Sequence, residues 1–222
     1  MNLKIIIYCF TISFLANSCI SKSNENLDEK NNSKIEEKEI FHDENQELTY
    51  ELINQVIEDN IPSDEDIYML LEQDLTRPAI SIDFEDEDYL GLNKYDSIFS
   101  KKYIEHIYKQ ASDLATSEAL ELNQTKINNQ NVRIIPTFQF NKFIEKIVSK
   151  NQRNEFWEEF EKEFGTYNFY SISYPVFSLD KNTAIISFGH HCGILCGSGF
   201  LAIFQKMNGK WVQVKVIISW VS

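Results

Sequence analysis

Positive charge is scarce in this chain. Its 222 residues include 34 acidic side chains and only 21 lysines and arginines, so the formal net charge is −13 at pH 7. A general nucleic-acid binder needs a basic surface against the phosphate backbone, and this composition argues against that class. The charge is also uneven. Residues 20–66 hold fifteen acids against four lysines, whereas residues 166–222 hold one acid against four lysines. We interpret the acidic front half as a solubilising region that is attracted to the mildly basic C-terminal part.

Long apolar runs are also missing. The run near the N-terminus, Ile5 to Leu15, has eleven residues, which is too short to span a bilayer. A short basic start with Lys4 precedes it, and small or polar residues follow at 16–18. These are the proportions of a secretory signal, so residues 1–18 are predicted to be a signal peptide.

The residue that follows this leader is Cys19. A cysteine at this point resembles the lipobox of bacterial lipoproteins, with Ala16 where that motif usually has leucine. The resemblance implies that Cys19 becomes the lipidated first residue of a mature protein in the bacterial cell envelope, on the outer membrane or facing the periplasm. Each buried CH₂ of an acyl chain such as palmitate contributes about 0.8 kcal/mol, so several chains would anchor the protein stably. The alternative is ordinary signal cleavage beside an incidental cysteine.

Apolar residues are few in the segment after Cys19. Serine, asparagine, glutamate and lysine dominate it, so it cannot bury enough surface to offset the entropy of ordering it. Residues 19–42 are therefore predicted to be a flexible tether. The remaining residues, 43–222, are long enough for a single domain with a sizeable core. We expect residues 43–165 to be mainly helical and residues 166–222 to form a β-sheet.

Apolar residues recur at helical spacing through the first part of this domain. The predicted helices span residues 43–57, 63–75, 97–114 and 140–147, and a last helix begins after Asn154. Short strands are predicted at residues 79–84 and 132–135. The last helix carries an aromatic stripe, which we interpret as core and not as a cofactor site. Its members are Phe156, Trp157, Phe160 and Phe164.

Alternation of apolar and polar residues is clearest at the C-terminus. It predicts a strand with one buried face between Trp211 and Val221. The Asn208-Gly209 pair before it favours a tight hairpin turn, and a second hairpin is predicted at residues 180–182. The predicted fold is α+β, with N-terminal helices packed on a C-terminal four-stranded antiparallel β-meander. The apolar set of the last strand is Val212, Val214, Val216, Ile218 and Trp220.

Glycine and cysteine, rare elsewhere, come together between two of the predicted strands. Four of the seven glycines fall within Gly189–Gly199, so the backbone there must turn sharply or approach something closely. Cys192 and Cys196 lie in the same stretch and are the only cysteines beyond the leader and its end. Because the leader sends the chain to an oxidising compartment, we expect a disulfide between them. This loop is the candidate functional site.

Other interpretations of the loop remain open. His190, Cys192 and Cys196 could bind zinc, although a closed structural site needs a fourth ligand. A Cys–His pair, or the two histidines 190 and 191, could act in catalysis, but the spacing is not C-x-x-C and no orienting acid stands nearby. The glycines match neither the P-loop nor the dinucleotide fingerprint. Free structural thiols are a further alternative. We assign no catalytic residue.

A dense acidic run at residues 83–88 suggests calcium. An EF-hand loop needs oxygen ligands at its positions 1, 3 and 5, glycine at 6 and glutamate at 12. A loop that starts at Asp86 has Ser97 where the glutamate is needed, and one that starts at Asp83 has Lys94 there, so neither register satisfies those positions. We therefore interpret the run as a solvated loop.

A second resemblance covers about the last sixty residues. They are similar to the C-terminal signature of a family of uncharacterised bacterial envelope lipoproteins, with a Cys-Gly-x-Leu-Cys-Gly-x-Gly loop as the most specific part. The resemblance implies location and fold, because the family carries no assigned activity. The residues that carry it are Tyr174-Pro175-Val176-Phe177, Ala184-Ile185-Ile186, Cys192 to Gly199, Asn208-Gly209-Lys210-Trp211 and Trp220-Val221-Ser222.

Taken together, these features predict a membrane-tethered envelope lipoprotein that serves as a non-enzymatic binding or accessory module. Its expected partners are a membrane, through the N-terminal lipid, and a protein or small molecule that the residues do not identify. We expect no nucleic acid and no cofactor. One alternative is a small metal- or thiol-dependent hydrolase that uses residues 190–199. Another is an immunity lipoprotein that blocks a toxin.

Overall fold

The computed structural model describes residues 32–63, 67–73, 91–116, 122–150, 155–193 and 195–222. The predicted signal peptide, Cys19, the strand expected at residues 79–84, the acidic run and Asn154 lie outside these ranges. The chain divides into two compact units, residues 1–41 and 42–222. Among the helices in the described ranges, none combines the length and apolar character that a membrane span requires.

Four α-helices and seven β-strands account for most of the described residues. The helices are α1 (Asn32–Asn60), α2 (Lys101–Thr116), α3 (Thr137–Ser149) and α4 (Phe156–Phe164). The strands are β1 (Tyr68–Gln73), β2 (Val132–Ile135), β3 (Phe169–Ser173), β4 (Val176–Phe177), β5 (Thr183–His191), β6 (Gly197–Met207) and β7 (Lys210–Val221). α1 begins at Asn32, well before the predicted start at residue 43.

The seven strands form one mixed sheet. Its order is β2-β1-β3-β5-β6-β7, and β4 pairs with β5 outside that path. β1 runs parallel to β2 and β3, whereas β5 is antiparallel to β3 and β6, and β6 is antiparallel to β7. The α+β class is confirmed, but the four-stranded antiparallel meander is wrong, because β1 and β2 from the first half of the domain extend the sheet with parallel pairing.

The error arises at β1, where a helix was predicted across residues 63–75. Leu70 is buried on one side of the sheet and Leu71 on the other, so both faces of the strand are apolar. A short continuous apolar run of this kind fits a buried strand and a buried helix equally well. Periodicity therefore could not separate the two structures, and only the parallel neighbours of β1 decide between them.

The two faces of the sheet are buried under different helices. α1 packs on one face, and α2, α3 and α4 pack on the other. Along β5, Ile186 faces α1 and Ile185 faces α2, as the two-residue period of a strand requires. On α4, Phe160 is fully buried against Phe143 and Phe169, which confirms that the aromatic stripe belongs to the core.

β7 departs from strict alternation. Its pairing with β6 shifts register twice, between Leu201 and Ala202 and between Ile203 and Phe204. Each shift leaves an extra residue on β7, so Val214, Ile217 and Ile218 all pack toward α2. Two members of the set predicted to lie on one buried face, Val212 and Val216, are exposed instead. The prediction of a single buried face was therefore wrong. The hairpin turn before β7 is confirmed, since Asn208 and Gly209 both have positive φ.

Candidate functional site

The candidate loop connects β5 to β6 at one end of the sheet. The Sγ atoms of Cys192 and Cys196 lie 2.04 Å apart, at disulfide distance, and their Cα atoms are 5.0 Å apart. The backbone N–H of Cys192 donates to the carbonyl oxygen of Cys196 at 2.9 Å, which closes the turn a second time. Gly193 has φ 118°, a value that favours glycine. The pairing agrees with the expected disulfide and leaves a short, doubly closed turn.

Zinc binding has no geometric support at this loop. The described part of the chain contains no group of three or more histidine, cysteine or acidic side chains that could hold a metal ion. Two sulfurs at bonding distance offer no thiolate, which is the form of cysteine that binds zinc. His190 stacks on Tyr170, with the ring centroids 4.5 Å apart.

His190 and His191 lie on opposite faces of the sheet. His191 stacks on Phe169 on the α4 side, with the ring centroids 4.7 Å apart. Burial lowers the pKa of His191 to about 4, with a smaller contribution from the charge of His190. Burial also lowers the pKa of His190. Both rings are therefore neutral at pH 7 and belong to the packing of the loop end.

A row of aromatic rings runs across the sheet next to the loop. Its order is Trp220, His191, Phe169, Trp157 and Tyr167. Successive ring centroids are 5.4, 4.7, 5.8 and 5.8 Å apart. Ring pairs at these separations stabilise a structure beyond the area that they bury. We call this set the aromatic row, and it gives the loop a rigid base.

Three of the clustered glycines are needed because Trp220 lies directly against them. A Cβ at Gly199 would stand 2.6 Å from Cε2 of the indole. A Cβ at Gly189 would stand 3.1 Å from Cζ2 of the indole and 2.9 Å from Oγ of Ser171, and a Cβ at Gly197 would stand 3.1 Å from Cζ3 and 2.9 Å from Oγ of Ser222. Side chains at these positions would push the indole away from the sheet. The close approach predicted from the glycine content is therefore made by a side chain of the same chain, and Gly193 provides the sharp turn.

Sequence reasoning missed one polar pair beside the loop. Ser171 Oγ lies 2.9 Å from Nε2 of His191, a distance that a nucleophilic serine and its base would adopt. Ser171 is only 2% exposed, so a substrate carbonyl has no access to its oxygen. A histidine with a pKa near 4 is also a weak base at neutral pH. The pair therefore satisfies buried polar groups. Only the β3–β5 register reveals it, because the two residues are twenty positions apart.

Exposed apolar side chains surround the loop. Leu195 is 84% exposed, Val221 86% and Tyr167 45%. All three lie at the same end of the sheet as the loop. Tyr167 lies there because Gly193 of the loop approaches its ring. Val221 lies there because its neighbour Ser222 donates its N–H to the carbonyl oxygen of Gly197 at 2.9 Å. We call Tyr167, Leu195 and Val221 the loop-end patch. It extends over both faces of this end of the sheet, because Val221 follows Trp220 in β7 and faces away from the aromatic row. Apolar residues that are exposed on a loop held by a rigid scaffold are typical of binding sites.

Comparisons of this chain with protein-family models, with curated proteins and with solved structures find no match.

Proposed function

We propose that this protein is a membrane-tethered envelope lipoprotein that works as a non-enzymatic binding module, with the loop-end patch as its binding surface. The observation that carries the proposal is the exposure of Leu195 on the doubly closed Cys192–Cys196 turn and of Val221 at the end of β7, at the same end of the sheet. The tether is supported by the resemblance of Cys19 and its leader to a lipobox.

The physical reason is that the patch is both apolar and already ordered. Complete burial of a side chain such as Leu195 or Val221 under a partner would contribute about 1.5–3 kcal/mol. Binding normally costs free energy because loops lose conformational freedom. Here the Cys192–Cys196 pairing and the backbone hydrogen bond have already restricted the loop, so less of that cost remains.

A hydrolase is less well supported by the same residues. Ser171 is buried beneath the aromatic row, His191 is a weak base, and the two cysteines are paired. Each group that could attack a substrate is therefore either inaccessible or already bonded. The most exposed side chains at this end of the sheet, Leu195 and Val221, are apolar and cannot transfer protons.

The tether is tested by expressing the full chain in a bacterium that is supplied with a palmitate analogue bearing an alkyne. We expect the label on the protein and the protein in the membrane fraction. Cys19→Ser should abolish both, whereas Cys192→Ser should retain the label and serves as the matched control. An unlabelled, full-length chain in the cytosol would refute this part of the proposal.

The binding surface is tested with a photo-crosslinking amino acid placed at Leu195 in the same cells. We expect a discrete adduct from position 195 and none from position 148 on α3, where Val148 is also exposed. Leu195→Glu should keep the protein folded but remove adducts formed from a crosslinker at Val221. Equal adducts from positions 195 and 148 would mean that the patch has no special role.

A further inference from the structure

The two edges of the sheet differ in how well they are protected. β2 forms one edge, has four residues and is followed by Pro136. β7 forms the other edge, has twelve residues and contains neither proline nor glycine. A long edge strand presents a row of backbone N–H and C=O groups to which another strand can bind. Among the strands of the described residues, none pairs with the outer side of β7, so this edge can accept an added strand along its regular parts.

The register shifts leave a regular stretch at the C-terminal end of β7, Ile218–Val221. Ser222 N–H donates to Gly197 on β6, which fixes the alternation of the ladder. In an antiparallel pair alternate residues bond to the neighbour, so Trp220 also faces β6. Ser219 and Val221 then direct their backbone groups away from β6, toward the open edge.

The charge along this edge has one sign. The β6–β7 hairpin carries Lys206, Lys210 and Lys215, and residues 197–222 contain no acidic residue. Lys206 is paired with Glu51 of α1 at 2.7 Å. Lys210 and Lys215 are exposed, so the free edge of β7 presents positive charge.

We propose that Ile218–Val221 of β7 is a strand-addition site for an extended acidic segment of a partner protein. The backbone groups of Ser219 and Val221 would bond to the added strand, and Lys215 would attract its carboxylates. Val221 belongs to the loop-end patch, so this inference rests on the proposed binding function and specifies the partner. A second copy of the chain fits less well, because it brings only lysines to the same edge.

The test uses the full chain purified in detergent and a fluorescent peptide in which glutamate and valine alternate. Fluorescence anisotropy at low salt should show binding that weakens as salt is added. A peptide of equal length with alternating lysine and valine should not bind. Lys215→Glu should weaken binding of the glutamate peptide and reduce its salt dependence.

Ser219→Pro is the decisive variant, because it removes an outward N–H without touching the bonds from β7 to β6. Loss of one or two backbone hydrogen bonds should weaken binding by roughly tenfold. Ser219→Ala keeps the N–H and should bind as the wild type does. Val221→Pro removes the other outward N–H. It is the variant to use if Ser219→Pro proves unstable to heat.

Several results would overturn strand addition. Unchanged peptide affinity in a folded Ser219→Pro or Val221→Pro variant would do so, as would equal binding of the lysine peptide. A dimer in detergent that Ser219→Pro dissociates would make a second copy the occupant instead. Adducts from the Leu195 crosslinker that persist in Ser219→Pro, together with unchanged peptide affinity in that variant, would leave the proposed binding function intact while excluding the added strand.

Discussion

The indole of Trp220 lies so close to Gly199 that a Cβ at position 199 would stand 2.6 Å from its Cε2 and Nε1 atoms. The same Cβ would stand 2.7 Å from the carbonyl oxygen of Phe188 on β5. One of these neighbours is a packed ring and the other is backbone, so neither can give way easily. The position thus requires glycine for lack of space.

Gly199→Ala should therefore destabilise the protein by about 1–3 kcal/mol, the usual cost of forcing extra atoms into a packed site. Urea denaturation monitored by tryptophan fluorescence measures the change. In a Trp220→Ala background the cost of Gly199→Ala should fall, because one of the two clashes is gone. An unchanged urea midpoint for Gly199→Ala would show that neither the indole nor the Phe188 carbonyl oxygen limits the space at position 199.

Acid should weaken the fold through His191. The pKa of this residue is about 4 in the folded protein and near 6.5 when it is exposed. Between these values the unfolded chain binds the proton and the folded chain does not, so stability falls as the pH drops from about 6.5 to about 4. In His191→Phe the urea midpoint should decline less steeply across this window. Burial and the charge of Lys109 also lower the pKa of His106 on α2, so His106→Gln is the comparison and should reduce the slope less than His191→Phe does. An identical slope for wild type and His191→Phe would contradict the prediction.

The cysteine pair should resist alkylation until a reductant is added. Mass spectrometry of the intact protein should then show two additional alkyl groups on Cys192 and Cys196. Because the closed ring is short, the Cys192→Ser, Cys196→Ser double variant should lose only about 2 kcal/mol of stability. Alkylation of both residues without reductant would show that they are free thiols.

Two phenylalanines of the helical layer offer a matched comparison. Phe160 on α4 has 0% exposure and Phe138 on α3 has 68% exposure. Phe160→Ala should cost about 3–5 kcal/mol because it leaves a cavity in the core. Phe138→Ala should change stability by less than about 0.5 kcal/mol. Similar costs for the two variants would place Phe160 outside the core.

Local patterns in the sequence were enough to predict the features that depend on neighbouring residues. Each of these features involves residues that are close together in the chain: the Asn208-Gly209 turn, the aromatic stripe of α4 and the pairing of Cys192 with Cys196. Features that depend on distant segments were not predictable. The parallel pairing of Leu70 with Tyr170 joins residues a hundred positions apart.

The candidate site divides in the same way. The loop and its glycines were recognised because they are contiguous in the chain. The reason why glycine is needed there could not be recognised from the sequence. Trp220 contacts Gly189 from β7, which lies two strands away from β5 in the sheet. The Ser171–His191 pair and the bulges of β7 likewise follow from register, which composition and periodicity do not encode.

The strand order also affects when the fold can be completed during synthesis. Short turns connect β5, β6 and β7, so these strands can pair as soon as they are made. β1 cannot pair with β3 until the chain is about a hundred residues longer. Contacts between distant segments slow folding, and a growing chain cannot make them until its last elements leave the ribosome. The apolar faces of α1 and β1 therefore remain uncovered for most of translation, and they are the surfaces that a chaperone would need to shield.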